Sequence, residues 1–173
     1  MPSELAFRAQ LVLREQREIF DYWRNCARGR KMPARSDLDP VAIPHLLPGL
    51  SLLHVEPGTN NAHYRLAGTR VREIYGMEVT GKRIFDLDFR GKTQYWRAAY
   101  RRVIVDGVPM QGAVRGPVAG RDHLVLFWLR LPLGEENGPV DRILGFDAAV
   151  PLSLASAFDD QNGADAPPRR AQV

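Results

Sequence analysis

Lys92-Thr93-Gln94-Tyr95-Trp96-Arg97-Ala98-Ala99-Tyr100-Arg101-Arg102-Val103-Ile104-Val105-Asp106-Gly107 is the stretch on which the fold turns. Trp96, Ala99, Tyr100 and Val103 recur at i, i+3, i+4 and i+7, so they share one face of a helix, and the glycine after Asp106 supplies its stop. The spacing predicts a helix from Lys92 to Asp106 whose apolar stripe must be covered by something else in the chain. Downstream, Pro109 to Arg115, His123 to Leu131 and Val140 to Val150 read as three strands separated by Gly- and Asn-containing turns. Upstream, Leu50 to Glu56 and His63 to Leu66 read as two strands around a hairpin loop, Pro57 to Asn61. Short helical pieces follow that hairpin at Thr69 to Gly76, where Val71, Ile74 and Tyr75 share a face, and at Ile84-Phe85. The order ββ, helices, βββ puts the chain in the α+β class.

The middle strand of the last three sends Leu124, Leu126 and Trp128 to one side and Val125, Phe127, Leu129 and Leu131 to the other, so both faces want burial. The connecting helices cover one face. The other needs the N-terminal helix or a second subunit, since an exposed patch of that size is a liability, and a dimer is therefore expected. From Leu5 to Arg28 the residues Leu5, Val12, Ile19, Trp23 and Cys26 recur near helical spacing, which predicts one long amphipathic helix stopped at Gly29. Turn residues fill Pro33 to Pro48, with Asp39-Pro40 opening a short helix to Leu46. The chain divides into a flanking helix over 1–31, a folded domain over 32–155, and a tail over 156–173, poor in apolar residues and expected to be disordered.

With 173 residues, 45% hydrophobic and 25% charged, the chain has the composition of one globular domain. A net charge of +4 raises the question of nucleic acid, but Glu15, Glu18 and Asp21 interrupt the N-terminal cations and leave no basic stripe, so that partner is disfavoured. No apolar run approaches the roughly 20 residues of a membrane span, and a cytoplasmic location with no membrane partner is expected. Cys26 is the single cysteine, read as a packed thiol.

The catalytic patterns fail one after another. No Gly-x-Ser-x-Gly elbow occurs, and His45, His54, His63 and His123 lack metal-ligand spacing. Gly76 to Arg83 has the glycine and lysine spacing of a phosphate loop, but Arg83 stands where a hydroxyl should hold magnesium. Gly91-Lys92-Thr93 has the ending without the upstream glycine, since Asp86 occupies that position. Asp86, Asp88, Asp141 and Asp147 read as solvated acids, because nothing in the sequence places two of them in one apolar pocket. The chain is therefore expected not to be an enzyme; the enzyme alternative is a small α+β isomerase or hydratase using a lone Asp or His. The aromatic residues Tyr75, Phe85, Trp96, Tyr100, Trp128 and Phe146, with Met110, come from separate elements that this fold draws together. They serve either as ordinary core or as the lining of a ligand pocket.

Met32-Pro33-Ala34-Arg35-Ser36-Asp37-Leu38-Asp39-Pro40, then Leu46-Leu47-Pro48, Tyr64-Arg65-Leu66-Ala67-Gly68-Thr69, and Tyr75-Gly76 through Thr80-Gly81 resemble the small bacterial single-domain PAS family, formerly a domain of unknown function. The resemblance spans Phe20 to Leu152. It implies a PAS-like five-stranded antiparallel sheet with helices on one face, a pocket between sheet and long helix, and homodimerisation through the amphipathic N-terminal helix. It also implies a stand-alone sensory or regulatory module that binds a small ligand or a signalling protein and acts through dimer or partner contacts, or a pure protein-interaction module without a ligand. The cofactor is left unknown. Photoreactive flavin is disfavoured because Cys26 lies outside the helical core, and haem because Lys92 to Asp106 holds no histidine and His123 is a weak substitute.

Overall fold

The computed structural model of the protein describes residues 3–155. Two short helices come first, α1 (Glu4–Ala9) and α2 (Arg14–Ala27), followed by 3-10 turns at Arg35–Asp37, Pro40–Ala42 and Pro44–Gly49. The hairpin β1 (Leu50–Val55) and β2 (Ala62–Ala67) leads into α3 (Thr69–Tyr75), a 3-10 turn at Ile84–Asp86, and α4 (Thr93–Asp106). Three strands close the domain: β3 (Met110–Arg115), β4 (Leu124–Leu133) and β5 (Arg142–Pro151). The tail expected over 156–173 lies outside the described residues.

All five strands form one antiparallel sheet in the order β2-β1-β5-β4-β3. Directly paired residues share a face, and the β4–β5 register pairs Trp128 with Asp147, Arg130 with Gly145 and Leu129 with Phe146. One face therefore carries Leu126, Trp128, Arg130 and Asp147, and it meets Trp96 and Tyr100 of α4. The other carries Leu129, Leu131, Leu144 and Phe146. Leu50 and Leu52 of β1 pair with Phe146 and Leu144, and they line a cleft with Tyr22 of α2, so α2 and the 3-10 segment lie over this second face. α2 is also tied to β4 by two long-range hydrogen bonds, from Gln16 Nε2 to the Trp128 carbonyl (3.3 Å) and from Trp23 Nε1 to the Pro132 carbonyl (2.9 Å). The cover on the second face thus comes from the same chain, and that face by itself no longer calls for a second copy.

The predicted single N-terminal helix is corrected to two. The chain turns over Gln10 to Leu13, where Gln16 Oε1 accepts from the Leu13 amide and Arg17 Nη1 donates to the Leu11 carbonyl at 2.6 Å. The break drives Leu11 into the core and leaves Leu5, assigned to the apolar stripe, exposed. α1 then folds back on α2 through a bidentate Arg8–Asp21 pair at 2.7 Å and the Phe7–Phe20 ring contact. The short helix expected from Pro40 to Leu46 is two 3-10 turns, because Ile43 precedes a proline and is pushed to an extended φ of −134°. Asp37 fastens the segment before it: its carboxylate accepts from Arg30 at 2.6 Å and from the Ala34 amide at 2.8 Å, and these bonds hold it below the ordinary aspartate range.

α4 ends as its sequence predicts, with Gly107 in the left-handed region at φ +60°. Gly68 serves a different need. Its φ is ordinary, but a Cβ there would collide with the carbonyl oxygens of Leu47 and Pro48, so only glycine lets α3 start against the 3-10 turn. Gly68→Ala is expected to cost about 1–3 kcal/mol by overpacking. Urea unfolding of the variant checks this, and an unchanged midpoint would show that the two backbones part easily.

Candidate functional site

The face of the sheet beneath α4 holds a fully buried charge pair. Arg130 Nη2 lies 2.9 and 3.2 Å from the two carboxylate oxygens of Asp147, and the residues are 1% and 0% exposed. The remaining guanidinium donors are also used: Nε donates to Tyr100 Oη at 2.8 Å, and Nη1 to the carbonyls of Leu129 and Phe146 at 2.9 and 3.2 Å. The buried phenols of Tyr64 on β2, Tyr75 on α3 and Tyr100 on α4 gather beside the pair, close enough to influence one another's ionisation and that of Arg130. A buried polar cluster thus comprises Tyr75, Tyr64, Tyr100, Arg130 and Asp147, with parts from two helices and three strands, and hydrogen bonds join Tyr100 to Arg130 and Arg130 to Asp147.

The guanidinium also sits within 5.8 Å of the ring centroids of Trp96, Tyr100 and Trp128, where three π-faces add to its stabilisation. Gly145 lies opposite it, and a side chain there would run into Ser51 Oγ. Burial pushes the phenols of Tyr64, Tyr75 and Tyr100 up, so all three stay neutral donors at ordinary pH. Burial is the largest single influence on Arg130 and works to lower it, but the Asp147 carboxylate and the surrounding tyrosine oxygens together outweigh it and the guanidinium stays charged. Burial pushes the Asp147 carboxyl above the ordinary aspartate value, against the pull of Arg130. Two buried polar atoms bordering this network have no protein partner among the described residues: the indole N–H of Trp96 and the hydroxyl of Ser51. An unpaired buried donor is costly, so these atoms mark where a bound molecule or water gains most.

Of the residues read from sequence as a ligand set, the structure gathers Tyr75, Trp96, Tyr100 and Trp128 around Arg130. Phe85 stands edge-on to Tyr100 at 6.1 Å, with the Arg97 guanidinium 4.4 Å from its own ring. Met110 is set apart, lining a separate cavity at the start of β3. Phe146 is not brought to the others: the register puts it on the opposite face, against Gly49. Asp147 is corrected from a solvated acid to a buried partner of Arg130. Arg130, Tyr64 and Ser51 were missed, although a lone arginine inside Leu129-Arg130-Leu131-Pro132-Leu133 is itself a signal. Among the described residues no group of His, Cys, Asp and Glu is arranged to hold a metal ion, and no helix is long and apolar enough to cross a membrane.

A family model described as PAS domain matches residues 12–147. The fold is similar to a light-oxygen-voltage domain studied with a flavin analogue (14% identity, 73% of this chain and 94% of that one, TM-score 0.54). It is similar as well to the Aureochrome1 LOV blue-light photoreceptor in its light state (11%, 70% and 96%, TM-score 0.51) and to a Rhodobacter sphaeroides LOV protein (18%, 69% and 72%, TM-score 0.51). No curated protein matches the chain. These structures correct the reading that disfavoured photoreactive flavin: the fold is shared with light-oxygen-voltage domains, one of them described with a flavin analogue. The physical reason is that the position of Cys26 bears only on thiol adduct chemistry, whereas a flavin is held by shape and polar contacts. The family model spans both helix-covered faces of the sheet and all but the end of β5, and this chain belongs to the PAS domain family.

Proposed function

We propose that the protein is a sensory and regulatory PAS module, not an enzyme, which receives a small ligand or a protein partner and signals through contacts with that partner or between copies of itself. The observation that carries the reading is the Arg130–Asp147 pair with the buried tyrosines around it. A buried ion pair adds little net stability over apolar residues of the same volume, so the fold alone does not require it. With the unpartnered Trp96 and Ser51 groups beside it, the interior offers a ligand both donors and a charge-balanced pair to rearrange. Denaturing mass spectrometry of the purified protein and a thermal-shift panel of flavin nucleotides, haem and small organic acids test this. A ligand at about 100 times its dissociation constant adds about 2.7 kcal/mol, which a melting curve resolves. A sample that carries nothing and shifts with nothing would leave the ligand-free interaction module in its place.

That second reading has its own support. A cleft of about 260 Å³ opens on the second face beside the edge strand β2, lined by Tyr22, Ile43, Leu47, Leu52, Leu66 and Leu144. Leu66, paired with Leu52 of β1, is 60% exposed on that strand, a large apolar side chain at the margin of the sheet. Leu66→Glu is expected to abolish any self-association while leaving the melting temperature near that of the parent. Light scattering across a concentration series reads both, and a parent that stays monomeric throughout removes the homodimer from the proposal.

A further inference from the structure

A cavity of about 570 Å³ lies between α1 and α2, the C-terminal end of α4 and the start of β3, within the roughly 300–1,000 Å³ span of small-molecule sites. It is separate from the interior beneath α4. Phe7, Phe20, Trp23 and Met110 give it an apolar wall, while Arg24, Arg30, Lys31 and Arg102 supply four cations against one lining carboxylate, Glu4. The cations have partners of their own: Arg24 with Glu4, Arg30 with Asp37, Arg102 with Asp106 (each 2.6 Å), and Lys31 with the Asp106 carbonyl (2.8 Å). Three of the cations are thus each paired with a carboxylate, and Arg30 also feels Glu135 and Glu136, so the seat for an anion rests on Arg24 and not on a net excess of charge. Arg24 is the most telling of these, because its side chain is three-quarters buried and lies over the Trp23 ring at 5.6 Å, where it attracts an anion more strongly than a solvated arginine does.

The wall already receives one aromatic ring and one carboxylate from its own chain. α1 lays Glu4 on Arg24 and, three residues on, Phe7 on Phe20 with ring centroids 5.1 Å apart. α1 itself buries no residue, so these contacts are made by a short element that is easily displaced. We infer that this cavity is a binding site for an aromatic carboxylate, which lays its ring along Phe20 and Trp23 and sets its carboxylate on Arg24 in place of Glu4. The site goes beyond the interior sensor and does not depend on it.

Titration of the full chain with 2-naphthoate, followed by tryptophan fluorescence and calorimetry, tests the inference, since Trp23 is the one tryptophan lining this cavity. Saturable single-site binding is expected, with the uncharged 2-naphthamide about tenfold weaker or worse, the size of one charge-assisted hydrogen bond. Arg24→Ala is expected to weaken 2-naphthoate by a similar factor, whereas Glu4→Gln removes the internal competitor and tightens it by about two- to fivefold. Arg24 and Glu4 are not core residues, and matching melting curves establish that both variants are folded. Absence of saturation up to about 1 mM, equal binding of the amide, an unaffected Arg24→Ala, or weaker binding by Glu4→Gln would each overturn the site. Preference for dodecanoate over 2-naphthoate would overturn the aromatic class. Trp96→Phe, placed in the interior, is expected to leave this binding unchanged, and loss of binding there would move the ligand beneath α4 and overturn the assignment.

Discussion

Asp147→Ala is expected to destabilise the protein by about 3–5 kcal/mol, because it strands the Arg130 guanidinium, 1% exposed, without its counter-charge. The remaining partners of Arg130 are neutral: one tyrosine hydroxyl and two main-chain carbonyls. The double substitution Arg130→Met with Asp147→Leu removes both charges together and is expected to be neutral or stabilising by about 1–4 kcal/mol. Urea unfolding of the parent, the single and the double variant reads the contrast directly. A single substitution costing under about 1 kcal/mol would mean that water reaches the pair, and the buried network would lose its role as the centre of the sensor. If the double variant folds firmly and the parent alone binds ligand, the pair belongs to function and not to folding.

Trp96→Ala is expected to cost about 3–5 kcal/mol, the price of an aromatic cavity in a packed interior. The ring touches Phe89, Tyr95, Tyr100 and Trp128, so nothing around it can close the gap. Trp96→Phe keeps most of the ring and deletes the indole N–H that has no protein partner among the described residues. Its expected cost is half that of the alanine variant or less, since an unsatisfied buried donor disappears with it. Equal costs for the two substitutions would show that the N–H is held by a bound group in solution.

Much of the architecture is legible because α4 and the strands obey one period each. Trp96, Ala99, Tyr100 and Val103 fall on one face whatever covers them, and the alternation in β4 announces two buried faces before the covers are known. The break between α1 and α2 is not legible. Gln10 to Leu13 contains neither glycine nor proline, and Leu5, Val12 and Ile19, spaced by seven, suit one helix as well as two. Only tertiary packing decides that Leu11 turns inward and Leu5 does not.

The site was half legible for a similar reason. Aromatic residues on α4 declare their face through helical spacing, so Trp96 and Tyr100 were found. Phe146 was placed with them although strand parity can be read only once the partner strand is known, and pairing with Leu129 sends it to the far side. Asp147 reads as a solvated acid until Arg130 is seen diagonally across the ladder, 17 positions earlier in the chain. The pair is a product of register, which local pattern does not carry.

Strand order has a consequence for synthesis. β5 is made last yet lies in the middle of the sheet, between β1 and β4. Until it is complete, the early hairpin of β1 and β2 and the late pair of β3 and β4 have no common edge, and Arg130 waits without Asp147. Nascent chains ending before Arg142 therefore hold two unjoined ribbons with open edges, the species on which chaperones act. The domain closes in one late step, when the final strand slots between two halves that were already waiting for it.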